Sequence, residues 1–368
     1  MENRFLDQMT PKERMSAFAA GQEIDRIPCS PHVGEYAAKI FGVPVRDYCH
    51  SAELMVEAQA AAFKKYRYDS VGVSPGLYGI PEAMGTKLCF PNDGVPYVLE
   101  PVVKEYSRDL DRLRTIDPYK DGRLPLYLTA LQTLHKKIGH EVSIGSSIGG
   151  PFTSAMALRG TESFLKDLLC DREMIHRLLG IVTQSLLNYI DAVCDLGFRV
   201  SLSEPAASGS VIGPRQFREY VKPYLKTCID RIIEKTGKGP SLHICGNTKR
   251  IWIDMAETGA ATLSLDNVVD LAEAKAVVGD QVCISGNVRP VETMLQGERQ
   301  QIIEEAKECI IKACDNPKGY ILSTGCTLPL GTPPENVTAL MDAARLYGRY
   351  PIDPECLKHH EQVKYDEL

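Results

Sequence analysis

Three side chains are the best candidates for shared chemistry: His243 and Cys245, two apart in Ser241-Leu242-His243-Ile244-Cys245-Gly246-Asn247, and the distant Cys326 in Ser323-Thr324-Gly325-Cys326. If Pro240 to Cys245 is a short buried strand, residues two apart leave the same face and the imidazole and thiol point together. With a third soft donor from another strand they supply three of the four ligands that zinc prefers, and the fourth position stays open for catalysis. A His and two thiolates also neutralise a divalent ion. A thiol arriving in fourth place would then lose its proton near neutral pH and still be electron-rich, which makes it a nucleophile. With 8 His and 12 Cys in 368 residues, His-x-Cys arises by chance about 0.3 times, so the pair needs its context. The competing reading takes the cysteines as small buried hydrophobes and the histidine as a hydrogen-bonded core residue.

Four further residues are candidates. Glu204, in Ser203-Glu204-Pro205, has three readings: a fourth ligand displaced by substrate, a partner for His243, or a carboxylate capping a helix. Asp266 either orients substrate or caps the loop after it. Glu204 and Asp266 are assigned to catalysis, Asn287 and Ser74 to cofactor contact. For Asn287, in Gly286-Asn287-Val288, turn geometry is the competing explanation. Gly149-Gly150-Pro151 and Ser74-Pro75-Gly76 read as rim loops, and neither fits a phosphate-binding fingerprint. Cys283 is placed near the same mouth as a decoy, and His359-His360 in a solvent-facing tail.

The elements that must position these residues can be read from the pattern. Thr10-Pro11-Lys12-Glu13 reads as a capping box opening a helix to about Gly21. Strands are expected near 27–30, 69–74, 141–146, 198–203, 241–245, 261–265, 282–285 and 320–323, separated by helical segments that include 51–66, 125–138, 162–169, 171–196, 214–235, 249–258, 271–278 and 298–314. Residues 84–100 read as a hairpin turning at Pro91-Asn92-Asp93-Gly94, and Thr332-Pro333-Pro334-Glu335 as a second capping box. Eight strands alternating with helices favour an α/β fold of the (β/α)8 TIM-barrel type. The whole chain, 1–368, reads as one domain with an N-terminal helical extension over about 1–25. In such a barrel the catalytic groups sit past the C-terminal strand ends, and the candidate residues fall there.

Composition excludes several classes. Hydrophobic residues at 44% and charged ones at 24% are ordinary for a globular chain. A net charge of -6 gives no footprint for nucleic acid, and no basic run suits an anionic membrane. The twelve cysteines are scattered singly, unlike a disulfide framework, and Met1-Glu2-Asn3-Arg4-Phe5 lacks the apolar core of a signal peptide. A cytoplasmic chain with reduced thiols and small-molecule or protein partners is expected, its oligomeric state open.

The chain resembles the uroporphyrinogen decarboxylase superfamily, and within it the zinc-dependent cobamide methyltransferases of the methylcobalamin:coenzyme M type. Arg14 to Gly21 with Asp25-Arg26-Ile27-Pro28, Gly209 to Pro214 with Phe217, Pro223-Tyr224 and Lys226, Leu263 to Asp266, Gly286-Asn287-Val288 with Pro290, and Gly319 to Cys326 carry the likeness nearly end to end. The methyltransferase branch is marked by His-x-Cys and a distant Cys, which His243, Cys245 and Cys326 match. The decarboxylase branch carries an Arg-rich segment after the first strand; here that segment is Ser30-Pro31-His32-Val33-Gly34-Glu35, without Arg. Several substrate carboxylates would stand there without guanidinium partners, which counts against decarboxylation. The resemblance implies a (β/α)8 barrel, a zinc ion on the three residues, and a corrinoid such as methylcobalamin supplied by a partner protein. It leaves open whether the methyl acceptor is coenzyme M, another thiol or a pterin, and what the upstream donor is. A tetrapyrrole decarboxylase and a non-catalytic binding module of a methyl-transfer system are the alternatives.

Overall fold

Seven parallel strands pair in chain order: β1 (Ser70–Gly72), β4 (Ser143–Gly149), β5 (Arg199–Ser203), β6 (Ser241–Ile244), β7 (Thr262–Leu265), β8 (Cys283–Val288) and β9 (Tyr320–Thr324). The missing β2 (Lys87–Cys89) and β3 (Tyr97–Glu100) form the expected antiparallel hairpin outside this sheet. The computed structural model describes residues 7–359, so the expectations for Met1 to Phe5 and for His360 lie outside the described residues, as does the side chain of His359.

The eighth stave of the barrel is the segment 27–30. Ser30 N donates to Leu322 O and Leu322 N to Pro28 O, each at 2.9 Å, and on the other side Asp69 N donates to Cys29 O at 2.9 Å. Its pairing with β9 is reduced to a single parallel bridge, Cys29 to Leu322. Pro28 and Pro31 flank that bridge and have no N–H to extend a ladder, which accounts for its shortness. Both edges of the sheet are thereby closed, and the expected (β/α)8 barrel is the observed fold.

Strand register sets which side chains share a level. Ser203 lies level with His243, His243 with Ser264, and Ser264 with Ser285. On β6, Leu242 and Ile244 are fully buried while His243, on the opposite face, keeps accessible surface. Alternation therefore turns the imidazole into the barrel lumen near its C-terminal mouth.

Most helices stand where periodicity and caps put them. Thr10 caps the helix Pro11–Ala19 in a full capping box, worth about 1 kcal/mol. Four differences have physical reasons. The helix expected over 214–235 opens into a π-turn at Phe217–Val221 before Lys222–Thr236, because Pro223 supplies no N–H to the preceding turn. The second capping box is absent: Pro334 holds Pro333 extended at ψ 133°, so the helix Pro334–Tyr347 starts one residue late and Thr332 Oγ1 has no hydrogen-bond partner among the described residues. Gly149-Gly150-Pro151 is no rim loop; Pro151 is the first residue of the buried helix Pro151–Arg159. Cys283 opens β8 and is therefore at the end of the barrel opposite the mouth. Two short helices, Tyr36–Phe41 and Val45–His50, fall below the length at which periodicity is readable.

The floor of the barrel is held by a buried ion network. Arg14 reaches Asp25 at 2.6 Å and Asp69 at 2.5 Å, and Arg26 reaches Asp7 at 2.7 Å and Asp69 at 2.8 Å. Asp69, which directly precedes β1, also accepts from Cys29 N at 2.6 Å, so both carboxylate oxygens are used. Among the described residues no helix is long and apolar enough to cross a membrane.

Candidate metal centre

The mouth brings together the donors the sequence singled out. One ligand atom each from His243, Cys245 and Cys326 lie within 4.8 Å of one another. His243 Nε2 is 3.2 Å from Cys245 Sγ, and Cys245 Sγ is 3.9 Å from Cys326 Sγ. A tetrahedral zinc with ordinary bond lengths sets two thiolates about 3.8 Å apart and an imidazole nitrogen about 3.5 Å from a thiolate. Donor types and spacing both fit one ion.

Each donor is fixed from below. His243 Nδ1 lies 3.1 Å from both the carbonyl and the hydroxyl of Ser264. The carbonyl can only accept, so Nδ1 carries the hydrogen and Nε2 turns its lone pair toward Cys245. Cys245 ends at a turn whose next residue, Gly246, has φ +74° and would press a Cβ onto Ser208 Oγ at 2.4 Å. A glycine is required there. Asp266 Oδ2 accepts from Gly246 N at 2.7 Å and Oδ1 from Val268 N at 3.2 Å. Gly325 is equally constrained, since a Cβ would meet Asn267 N at 2.5 Å. The loop after β7 thus supports both cysteine-bearing turns.

The two thiols share protons unequally. A hydrogen bond from Cys245, helped by His243, draws the Cys326 thiol well below its ordinary range, while the same hydrogen bond and burial push Cys245 upward. One thiolate therefore forms readily, and the second forms with a compensating positive charge beside it.

The other expected residues are occupied differently. Glu204 is fully buried, and its carboxylate accepts from Phe152 N at 2.9 Å and Thr153 N at 2.8 Å, the first amides of the helix Pro151–Arg159. These contacts are those of the helix-capping reading. Burial nevertheless raises its pKa to about 7, against the lowering effect of Thr153 and Phe152. Its own N–H donates to His243 O at 2.8 Å, tying the two strand ends. Asp266 has the contacts of a loop cap. Asn287 donates both amide hydrogens, to Asp266 O at 3.0 Å and Val269 O at 2.8 Å, and so braces the same loop. Ser74 Oγ donates to Ser147 O and accepts from Gly76 N, which pins the turn after β1.

Sequence reasoning gave no role to His32, Glu35 or Ser264. The His32 ring stands edge-on to His243 at 5.7 Å between centroids, and burial with His243 beside it lowers its pKa to about 4. His32 N donates to Thr324 Oγ1 and Leu328 N to His32 O, so the segment after 27–30 runs alongside the Cys326 turn. Its place past the first strand was the available signal. A shallow groove lined by Arg172, Glu173, His176 and Arg177 lies at the start of the helix Arg172–Asp195, and it holds none of the three soft donors.

Known proteins share this fold. The family described as uroporphyrinogen decarboxylase (URO-D) matches residues 10–347. The chain belongs to the uroporphyrinogen decarboxylase family. It is similar to Methylcobamide:CoM methyltransferase MtaA of Methanosarcina barkeri, at 28% identity over 350 residues, 93% of this chain and 99% of that protein. It is also similar to uroporphyrinogen decarboxylase of Psychromonas ingrahamii, at 26% identity over 304 residues, 80% of this chain and 83% of the other. Among solved structures, a methyltransferase from Methanosarcina mazei superposes with a TM-score of 0.82 at 28% identity, covering 92% of this chain and 98% of that one. The expectation of a methyltransferase of the corrinoid-dependent kind agrees with these relatives.

Proposed function

We propose that the protein is a zinc-dependent methyltransferase that moves a methyl group between a corrinoid carried by a partner protein and a small acceptor, a thiol by preference. The observation that carries this reading is the convergence of His243 Nε2, Cys245 Sγ and Cys326 Sγ within 4.8 Å at the barrel mouth. When bound, zinc would lower the pKa of an incoming thiol and leave it nucleophilic. Transfer to such a thiol would form a carbon–sulfur bond as the methyl–cobalt bond of the partner's corrinoid breaks, the bonding pair leaving with cobalt and the thiol proton going to solvent.

The chain's own part is orientation. Ser264 fixes the tautomer of His243, Asp266 and Asn287 hold the turn of Cys245, and Gly325 sets the turn of Cys326 against Asn267. Glu204 acts as a positioning residue by locking the end of β5 to the helix Pro151–Arg159 and to His243. Ser74 shapes the rim on the facing side. Alignment of this kind is where enclosed displacement reactions gain most of their rate.

The test is metal analysis of the purified protein together with methylcobalamin demethylation in the presence of thiols. One zinc per chain and thiol-dependent demethylation are expected. Full activity after complete metal removal, or conversion of uroporphyrinogen to a decarboxylated product, overturns the reading.

A further inference from the structure

Beside the turn after β1, the mouth holds a carboxylate, that of Glu35, with no ion-pair partner within bonding distance among the described residues. Glu35 precedes the helix Tyr36–Phe41 but does not cap it, and no side chain among the described residues hydrogen-bonds or ion-pairs with its carboxylate. The surroundings are dense enough to raise its pKa through burial, with its own main-chain N–H and the more distant Arg123 opposing that shift. Yet Glu35 keeps accessible surface, as do His32, His243, Cys245 and Cys326.

Its place is fixed from two sides. The preceding Gly34 would put a Cβ 3.5 Å from Thr327, the residue after Cys326, and Glu35 Oε1 lies 4.0 Å from a Cβ built on Gly76 in the turn after β1. The main chain before Glu35 therefore runs beside the Cys326 turn, while its carboxylate stands at the β1 rim. Three cations near the mouth are committed to acidic partners. Arg123 is held by Glu82 at 2.9 Å, Arg289 by Glu305 at 3.1 Å and Lys249 by Glu273 at 2.8 Å. The corner formed by Glu35, Glu82 and Arg123 carries two carboxylates against one guanidinium. An anionic substrate would bring a third negative charge into it, whereas a cationic one would complete the pairing.

We propose that the small molecule taken by this site carries a cationic nitrogen, seated on Glu35 while its sulfur occupies the His243, Cys245 and Cys326 cluster. This rests on the reading of the acceptor as a thiol and narrows it to aminothiols over sulfonate or carboxylate thiols.

Two matched pairs of probes test it: cysteamine against 2-mercaptoethanesulfonate, and 3-aminopropanethiol against 3-mercaptopropanesulfonate. Each is titrated into Co(II)-substituted protein, with thiol binding read from the visible absorption of cobalt, and each is assayed as acceptor from methylcobalamin. The aminothiol of at least one pair is expected to bind about tenfold more tightly, and to react with a correspondingly higher kcat/KM. Glu35→Gln should bring the two members within about threefold while metal content stays unchanged, and Glu35→Lys should reverse the order. Preference for the sulfonates, or a preference unaltered by Glu35→Gln, overturns the assignment while leaving the thiol reading intact. If no thiol perturbs the cobalt spectrum, the acceptor reading itself fails, and this inference falls with it.

Discussion

At the N-terminal end of the barrel, Arg14 and Arg26 close around Asp7, Asp25 and Asp69, while at the C-terminal end His243, Cys245 and Cys326 face one another as soft donors hydrogen-bonded among themselves and to Ser264. Both clusters are assembled from residues far apart in the chain. On the floor every charge has a counter-charge, so the network can only stabilise or register the fold. At the mouth three soft donors sit together with no charged partner of the chain among them, an arrangement that suits a soft divalent cation. Glu204 shows that position is not enough: it lies at the mouth, but its oxygens are taken by helix amides as fully as those of Asp69 are taken by arginines.

The sharpest way to break this contrast is at the mouth. Cys326→Ala or Cys245→Ala should abolish stoichiometric zinc, measured by elemental analysis, and with it methyl transfer, while the urea midpoint of the metal-free protein moves little. On the floor the pattern should invert. Asp69→Ala removes the carboxylate shared by Arg14 and Arg26, leaving Arg14 to Asp25 and Arg26 to Asp7, and should lower stability by about 3 kcal/mol in urea unfolding, with zinc stoichiometry retained in the folded fraction.

Glu204 supplies an intermediate case through pH. Its folded pKa, about 7, lies above the ordinary 4.5. The folded state holds this proton more tightly than the unfolded one, so the contribution is fully present below about pH 4.5 and is lost as pH rises through 7. In metal-free protein, unfolding free energy should fall between pH 5 and 8 by up to about 3 kcal/mol relative to Glu204→Gln, which lacks this titration. A Glu204→Gln curve parallel to the parent would show the buried carboxylate to be ionised throughout. The smallest effect is expected at Ser264→Ala. It removes one of two partners of His243 Nδ1 and leaves the carbonyl, so zinc affinity should weaken about tenfold in competition with a chelating dye.

Much of this was legible in the sequence for identifiable reasons. Leu242 and Ile244 alternate with His243, so β6 and the direction of its imidazole follow from a period of two. Thr10 and Glu13 announced their capping box because all its partners lie within four residues. Thr332 failed as a cap because the choice turned on the backbone preference of Pro333, and the break at Phe217–Val221 on a missing N–H at Pro223. Gly149-Gly150-Pro151 was misread as a loop because the helix it opens is buried almost all round and shows no amphipathic stripe.

By itself, then, the sequence determined the alternation of strands and helices, the soft-donor character of His243, Cys245 and Cys326, and the lack of arginine after the first strand. Those are properties of residue type and local period. Only the closed barrel decided that the three donors share one space, that Glu204 and Asp266 brace backbone amides, and that Glu35 stands beside the turn after β1. Hydrogen-bond and charge partners in a parallel barrel come from segments tens to hundreds of residues apart, and closure of the ring, set by register, fixes which of them meet.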